Sequence, residues 1–123
     1  MWNYEADIIV VGSGAAASSA ALFAYEKGAK VIMVEKRARP GGTTEKSGGV
    51  FWIPNNSFLR ENKIEDKKED ALRYMARLSY PTLYNPNDNH FGLNDHQYEL
   101  LESYYENASP TIEKLQAMGA LEA

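Results

Sequence analysis

The sequence has 123 residues, of which 44% are hydrophobic and 24% charged, and a chain of this composition can form a buried core. Its formal net charge of -4 argues against nucleic acid as a partner, because binding to phosphates needs clustered lysine and arginine. The sequence lacks cysteine, which excludes disulfides and thiolate metal sites and fits the cytoplasmic location that we expect.

A stretch without charged residues extends from Ile8 to Tyr25 and approaches the length of a membrane span. The residues before it, Glu5 and Asp7, are acidic, whereas a signal peptide has a basic flank. A glycine loop also divides the stretch into a short β-branched part and a longer alanine-rich part. We therefore expect no membrane span.

The first 35 residues have the pattern of a strand, a helix and a second strand. Ile8–Val11 is a short β-branched run that is apolar on both faces, which is typical of a buried parallel strand. Residues 15–27 are rich in alanine and are followed by Gly28 as a helix stop. Val31–Val34 is a second buried strand. The pattern predicts a βαβ unit with a right-handed crossover.

Only one further strand candidate follows, the short apolar run from residue 50 to residue 53. A doubly wound sheet usually has about five or six strands, and parallel strands need neighbours on their edges. We therefore interpret the chain as the front part of a larger α/β fold. In isolation, such a piece could associate through the exposed surface of its sheet.

The second half of the sequence predicts helices on either side of an irregular loop. A helix is expected over residues 70–78, and residues 81–92 are dense in Asn, Asp and Pro, as loops are. A longer helix should begin at Asn94, where Gln97 can complete a capping box. We expect a separate helix to restart at Ser109-Pro110, with serine as its cap and proline in its first turn.

A glycine-rich loop follows the first strand and opens the first helix, and it reads Gly12-Ser13-Gly14-Ala15-Ala16-Ala17. Gly12 allows the tight turn, and Gly14 lets the backbone approach a pyrophosphate closely. The free N–H groups and the dipole of the helix N-terminus favour such an anion. Strand, loop and helix together match the context that a dinucleotide fingerprint requires.

Glu35 ends the second strand, about twenty residues beyond the loop, where a carboxylate can accept hydrogen bonds from both ribose hydroxyls. A carboxylate there disfavours NADP, because it repels a ribose phosphate. The fingerprint and Glu35 alone leave two alternatives to an FAD site: an NAD-binding dehydrogenase fragment, and a non-catalytic fragment that only binds a nucleotide.

A second glycine-rich loop favours FAD over NAD. Gly41-Gly42 and Gly48-Gly49 bracket the hydroxyl residues Thr43, Thr44 and Ser47. Such a backbone can lie flat against a large planar cofactor, and the hydroxyls can bind phosphate or ribityl oxygens. An NAD dehydrogenase needs no loop of this kind directly after its acidic residue.

The motifs that carry a family resemblance are the run from Asp7 to Glu35, Gly41-Gly42-Thr43-Thr44, Ser47-Gly48-Gly49 and Trp52-Ile53-Pro54-Asn55. Together they resemble the FAD-binding flavoproteins of the fumarate reductase and succinate dehydrogenase superfamily, and their spacing is most similar to that of 3-ketosteroid dehydrogenases. The resemblance implies a Rossmann-like FAD-binding α/β fold, of which residues 1–123 would form the N-terminal part without the substrate domain and the C-terminal FAD-contacting part. It also implies an oxidoreductase that transfers hydride between flavin and a small-molecule substrate, a steroid-like ketone or a small acid. Its catalytic residues would lie beyond this chain, which alone would be inactive.

The same resemblance assigns roles to the residues of both loops. It implies that backbone N–H groups of Ser13, Ala15 and Ala16 contact the pyrophosphate, that Glu35 holds the adenosine ribose, and that Lys36 and Arg37 flank the adenine. The flavin side would be lined by Gly42, Thr43, Thr44, Ser47, Gly48 and Gly49, and Gly41 is expected to belong to the same cofactor site. Relatives of the succinate dehydrogenase type attach FAD covalently through a histidine in this loop. Because no histidine lies between Arg37 and Trp52, we expect non-covalent FAD.

The remaining candidates for chemistry favour structural roles. His90 and His96 are the only histidines, and no pattern of carboxylate ligands surrounds them, so we expect no metal site. The helical spacing of Tyr98, Tyr104 and Tyr105 predicts packing rather than catalysis.

Overall fold

Residues 2–121 are described by the computed structural model, and the chain divides into a first unit, Met1–Phe51, and a second unit, Trp52–Ala123. The first unit contains the strands, and the second is built from helices. This division follows the sequence pattern, because β-branched runs occur early in the chain and helical periodicity occurs late.

A two-stranded parallel sheet forms the frame of the first unit. Strand β1 (Ile8–Val11) pairs in parallel with strand β2 (Val31–Val34), with residue 8 opposite residue 31. Helix α1 (Ala15–Glu26) connects the two strands. The expected βαβ unit and the α/β fold class are therefore confirmed.

The strands are less buried than the sequence pattern predicts. Val10 is buried, but Ile9 is 64% exposed and Val11 is 82% exposed. Alternate residues of a strand point to opposite faces of a sheet, so Val10 lies on one face and its two neighbours on the other. The prediction of fully buried strands is wrong for this chain because a sheet of two strands with one helix leaves a face and both edges uncovered.

The ends of α1 follow from glycines at each terminus. Gly14 precedes the helix with an extended backbone, and as the N-cap residue it has no side chain with which to cap the N-terminus. At the other end, Gly28 has a φ of +86°. The amide of Gly28 donates to Tyr25 O, and the amide of Ala29 donates to Ala24 O. This pair of hydrogen bonds is a Schellman motif, and it confirms Gly28 as the helix stop.

Residues 50–53 do not form the third strand that their apolar pattern suggested. Val50 is 92% exposed, and Pro54 follows the run and has no N–H to donate to a sheet. The carbonyl of Trp52 accepts a hydrogen bond from the Tyr104 hydroxyl at 2.6 Å instead of one from a strand. An apolar run becomes a strand only where a neighbouring strand offers its backbone groups.

Within residues 52–121, three helices form the second unit, and two of them enclose its core. They are α2 (Ser57–Glu61), α3 (Lys68–Ser79) and α4 (Asp95–Ala117). The expected helix over 70–78 is thus confirmed in α3, whereas the sequence reading missed α2. The core consists of Leu72, Met75, Ala76, Phe91, Leu93 and Leu101, with Tyr80, Tyr84, Tyr98 and Tyr105 packed against it. The packing role predicted for Tyr98 and Tyr105 is confirmed, whereas it is wrong for Tyr104, which is 42% exposed and lies outside this core.

Helix α4 begins as expected but does not break where the sequence suggested. The side chain of Asn94 accepts from the Gln97 amide at 2.9 Å and Gln97 Oε1 accepts from the Asn94 amide, so the capping box is confirmed. The restart at Ser109-Pro110 is wrong, because α4 continues through Pro110 to Ala117.

Burial on both sides of Pro110 explains the continuous helix. A proline in a helix interior removes one backbone hydrogen bond and costs about 3 kcal/mol. Leu101, Ser109 and Leu115 are nevertheless buried on α4, while Pro110 itself is exposed. The Ser109 hydroxyl donates to the Glu113 carboxylate at 2.7 Å within the helix. Packing over this length favours one helix over two.

The loop between α3 and α4 is held by a close backbone approach at Gly92. Gly92 has a φ of +83°, and a Cβ there would lie 2.1 Å from the carbonyl oxygen of Leu83. Asp88 Oδ1 accepts hydrogen bonds from the amides of His90 and Gly92, at 2.8 and 3.0 Å. Only glycine therefore fits at position 92.

Replacing Gly92 by alanine should destabilise the second unit strongly. Strain from the positive φ and the clash with Leu83 O should together cost at least about 3 kcal/mol. Gly119→Ala is the matched control, because Gly119 has a φ of +69° but open space around it. It should cost about 1 kcal/mol. Urea unfolding followed by circular dichroism measures both losses, and equal losses would contradict the prediction.

Candidate dinucleotide-binding site

The first glycine loop joins the end of β1 to the start of α1. Gly12 adopts a φ of +96° immediately after β1, and its amide donates to Val34 O in β2 at 2.7 Å. Gly14 is the N-cap of α1, and the first turn of α1 contains no acidic residue. The first amides of a helix have no acceptor within the helix. The loop thus presents amide donors and the positive end of the helix dipole without a competing carboxylate in that turn.

Glu35 lies directly after β2, and its carboxylate faces this loop. Its Oε2 accepts a hydrogen bond from the Ser13 hydroxyl at 2.6 Å, and its Oε1 accepts one from the Arg37 amide at 2.9 Å. These two hydrogen bonds, first that of Ser13 and then that of Arg37, lower the pKa of Glu35 below its ordinary value. Glu35 is therefore an ionised acceptor at neutral pH.

The Ser13 side chain is a feature that the sequence reading missed. The fingerprint assigned Ser13 only a backbone contact, yet its hydroxyl both donates to Glu35 and accepts from the Gly41 amide at 2.9 Å. Ser13 is 6% exposed. The signal that could have indicated this contact is a hydroxyl residue between two glycines, followed in the sequence by an acidic residue at a strand end. The standard reading of the motif concerns only the backbone at that position.

The second glycine loop lies against the first. A Cβ on Gly42 would lie 3.4 Å from the Cα of Gly14. The amide of Ala15 donates to the Thr44 hydroxyl at 3.3 Å. Thr44 begins a short 3-10 turn, Thr44–Lys46. Residues predicted from two separate motifs are therefore neighbours at the N-terminus of α1.

The other predicted site residues are more peripheral. The side chains of Lys36 and Arg37 are exposed beside the end of β2. Ser47 makes local hydrogen bonds, donating to Thr44 O and accepting from the Gly49 amide. Thr43, Ala16 and Gly48 are exposed. The structure thus brings together Ser13, Gly14, Ala15, Glu35, Gly41, Gly42 and Thr44. Gly12 is half-buried beside them, and the other predicted residues are exposed.

Parallel strands, a glycine turn at a helix start and a strand-end carboxylate define the class of Rossmann-type dinucleotide-binding folds. A family model described as "FAD binding domain" matches residues 7–121. The chain belongs to this family of FAD-binding domains, and its cofactor is FAD. The family resemblance and the cofactor expected from the sequence are thereby confirmed.

Known proteins similar to this chain include a dehydrogenase and a reductase. 3-Oxosteroid 1-dehydrogenase from Mycolicibacterium smegmatis is 44% identical over 78 residues, which are 63% of this chain and 14% of that protein. Urocanate reductase from Eggerthella lenta is 45% identical over 71 residues, which are 58% of this chain and 12% of that protein.

A solved structure shows the same similarity in three dimensions. The crystal structure of 3-ketosteroid delta1-dehydrogenase from Sterolibacterium denitrificans in complex with 1,4-androstadiene-3,17-dione matches with a TM-score of 0.66 and 37% sequence identity, over 91% of this chain and 17% of that chain. The chain therefore spans less than a fifth of the length of these relatives.

Residues 2–121 contain neither a membrane-spanning helix nor a cluster of metal-binding side chains. None of the helices there is long and apolar enough to cross a membrane. The His, Asp and Glu side chains of the same residues form no group of three or more that could hold a metal ion. His90 instead stacks on Tyr98, with ring centroids 4.3 Å apart.

The lowered pKa of Glu35 predicts an acid-sensitive first unit. A carboxylate whose pKa is lowered by folding contributes stability above its ordinary pKa, and that stability is lost as the pH falls below about 4.5. Glu35→Gln should therefore flatten the dependence of the unfolding midpoint on pH in this acid range. Glu5→Gln, at an exposed position, is the control and should keep the parent's slope. Identical slopes for Glu35→Gln and the parent would contradict the prediction.

Proposed function

We propose that this chain binds FAD between its two glycine loops, as part of the FAD-binding domain of a longer flavin-dependent oxidoreductase. The observation that supports this most directly is the contact of Gly42 with Gly14 at the N-terminus of α1, with the Glu35 carboxylate linked to the same loop through Ser13. The small share of each relative that the chain spans supports its being part of a longer protein.

On the adenosine side, the residues present fit a pyrophosphate and a ribose. The amides of Ser13 and Ala16 at the start of α1 would donate to the pyrophosphate oxygens, and the amide of Ala15 would do so in exchange for its hydrogen bond to the Thr44 hydroxyl. Glu35 would accept hydrogen bonds from the adenosine ribose, because its carboxylate is ionised and is held beside the loop by Ser13 and the Arg37 amide. The exposed Lys36 and Arg37 would flank the adenine.

On the flavin side, the second loop would supply a flat backbone surface and hydroxyl groups. Its residues in this role are Gly41, Gly42, Thr43, Thr44, Ser47, Gly48 and Gly49. Because residues 38–51 contain no histidine, the flavin would be held without a covalent bond to an imidazole of this loop. Gly12 and Gly14, in the first loop, would allow the backbone to approach the pyrophosphate from the side that faces away from the second loop.

For the longer protein we propose oxidation or reduction of a carbon–carbon bond in a small-molecule substrate, either a steroid-like ketone or a small unsaturated acid. Bound FAD supplies the hydride chemistry of such a reaction. This proposal is supported by the similarity of the chain to proteins named 3-oxosteroid 1-dehydrogenase and urocanate reductase. The share of this chain's own residues is to bind and orient the cofactor, and no residue here is given a catalytic role. The cytoplasmic location expected from the sequence stays a prediction.

The first test of the proposal is retention of flavin by the purified chain. After incubation with excess FAD and desalting, we expect flavin absorption in a ratio near one per chain. We also expect ADP to raise the melting temperature, because it carries the groups that Glu35 and α1 would bind. A chain that retains no FAD and is not stabilised by ADP would contradict the proposal. Stabilisation by NAD without retention of FAD would favour the NAD-binding alternative.

A second test uses the close approach of the two loops. Gly42→Ala would place a methyl group against Gly14 and strain a φ of +56°, so we expect FAD to bind about tenfold more weakly. Gly28→Ala is the control, because Gly28 has a similar positive φ in open space outside the site. Both variants should lose about 1 kcal/mol of stability, and only Gly42→Ala should lose affinity. Equal affinities in the two variants, measured by flavin fluorescence titration, would contradict the prediction.

A further inference from the structure

The Ser13 hydroxyl is buried between three segments of the first unit. It donates to Glu35 after β2 at 2.6 Å and accepts from the amide of Gly41, at the start of the second glycine loop, at 2.9 Å. Ser13 itself lies between β1 and α1. A hydroxyl has a single hydrogen, which Ser13 donates to Glu35. One of the oxygen lone pairs accepts the hydrogen bond from the Gly41 amide. Its rotation is therefore fixed by two partners of opposite kind.

The hydrogen bond to Glu35 determines where the free lone pairs of the carboxylate point. Oε2 is held by Ser13 and Oε1 by the Arg37 amide at 2.9 Å. With both oxygens anchored, the carboxylate plane cannot rotate without breaking a charge-assisted hydrogen bond. The backbone amides of Ser13 and Lys36 add weaker interactions, and the carboxylate would turn its remaining acceptor capacity to two adjacent hydroxyls of a ribose.

The hydrogen bond from Gly41 determines where the second loop begins. Gly41 and Gly42 both have positive φ, +108° and +56°, so the chain turns sharply after this anchor. The next contacts of the loop with the first are Gly42 beside Gly14 and Thr44 at the amide of Ala15. Loss of the Ser13 anchor would release the first of these three contacts.

We propose that Ser13 is a positioning residue for FAD, whose hydroxyl orients the Glu35 carboxylate toward the adenosine ribose and anchors the second glycine loop at Gly41. This inference rests on the proposed function. It gives Ser13 a side-chain role in addition to its backbone amide. The lowered pKa of Glu35, caused first by the Ser13 hydroxyl, agrees with it.

ADP tests the part of the proposal that concerns Glu35, because it carries the ribose and pyrophosphate but no flavin. Calorimetric titration should show about tenfold weaker ADP binding for Ser13→Ala than for the parent, from the loss of one hydrogen bond to a charged group. The matched control is Ser18→Ala, because the Ser18 hydroxyl donates to the backbone carbonyl of Ser13 and touches neither Glu35 nor Gly41. It should bind ADP within about twofold of the parent. Equal binding by Ser13→Ala and the parent would overturn the inference.

A double-mutant cycle separates positioning from a loss of structure. If Ser13 acts through Glu35, Ser13→Ala should weaken ADP binding in the parent but cause little further loss in a Glu35→Ala background. Equal losses in both backgrounds would overturn the inference. A parent chain that binds neither ADP nor FAD would instead contradict the proposed function itself, so the two failures are distinguishable.

FAD tests the part of the proposal that concerns Gly41 and the second glycine loop. Because FAD would contact both loops, Ser13→Ala should weaken FAD binding by a larger factor than ADP binding. If the two factors are equal, the anchoring role at Gly41 is wrong.

Two further measurements test the inference if Ser13→Ala does not fold. Ser13→Thr keeps the hydroxyl and should bind ADP more tightly than Ser13→Ala does. If Ser13→Ala is unfolded, Glu35→Ala takes its place in this comparison. An affinity of Ser13→Thr for ADP no higher than that of the variant it is compared with would overturn the inference. In the parent chain, the carboxyl carbon of Glu35 can be followed by nuclear magnetic resonance as the pH is lowered. Titration at the ordinary pKa of a glutamate would also overturn it, since a carboxylate bound by Ser13 should titrate lower.

Discussion

Parallel pairing brings the carboxyl ends of β1 and β2 to the same edge of the sheet, and every contact of the site starts from that edge. Because Val11 is paired with Val34, the turn at Gly12 and the acid at Glu35 leave the sheet side by side. The amide of Gly12 closes the ladder by donating to Val34 O. A shift of one residue in register would move Glu35 to the opposite face of the sheet and away from Ser13.

A carboxylate beside a site for an anion needs its charge to be held in place. Ser13 directly precedes the N-cap of α1 and donates to Glu35, and the first turn of α1 has no acidic residue of its own. Hydrogen bonds from Ser13 and Arg37 satisfy the Glu35 charge locally. In the proposed site, the amides at the start of α1 would therefore keep their attraction for phosphate, while the carboxylate would accept hydrogen bonds from hydroxyl groups.

Much of this arrangement is readable from local sequence. The β-branched runs, the glycines at 12, 14 and 28, and the Asn94–Gln97 capping box each depend on neighbouring residues only, and the structure confirms them. The features that the sequence reading missed depend on distant residues. Whether residues 50–53 form a strand depends on a partner edge, and whether α4 continues past Pro110 depends on burial along its whole length.

The candidate site likewise has features that local sequence predicts and features that depend on distant residues. Its residues could be chosen from two motifs, because glycine and hydroxyl patterns are visible in sequence. The hydrogen bonds that join Ser13 to Glu35 and Gly41 span 22 and 28 residues. Such links follow from the crossover of the βαβ unit rather than from any local pattern, so they could not be assigned before the structure.

The anchored carboxylate of Glu35 also has a consequence for the thermodynamics of binding. Immobilising a flexible side chain at an interface typically costs about 0.5–1.5 kcal/mol of conformational entropy. In this chain Ser13 and the Arg37 amide already restrain Glu35 before any ligand arrives. That entropy is lost on folding rather than on association, so the carboxylate is preorganised, and the binding free energy of a nucleotide is not reduced by ordering this side chain.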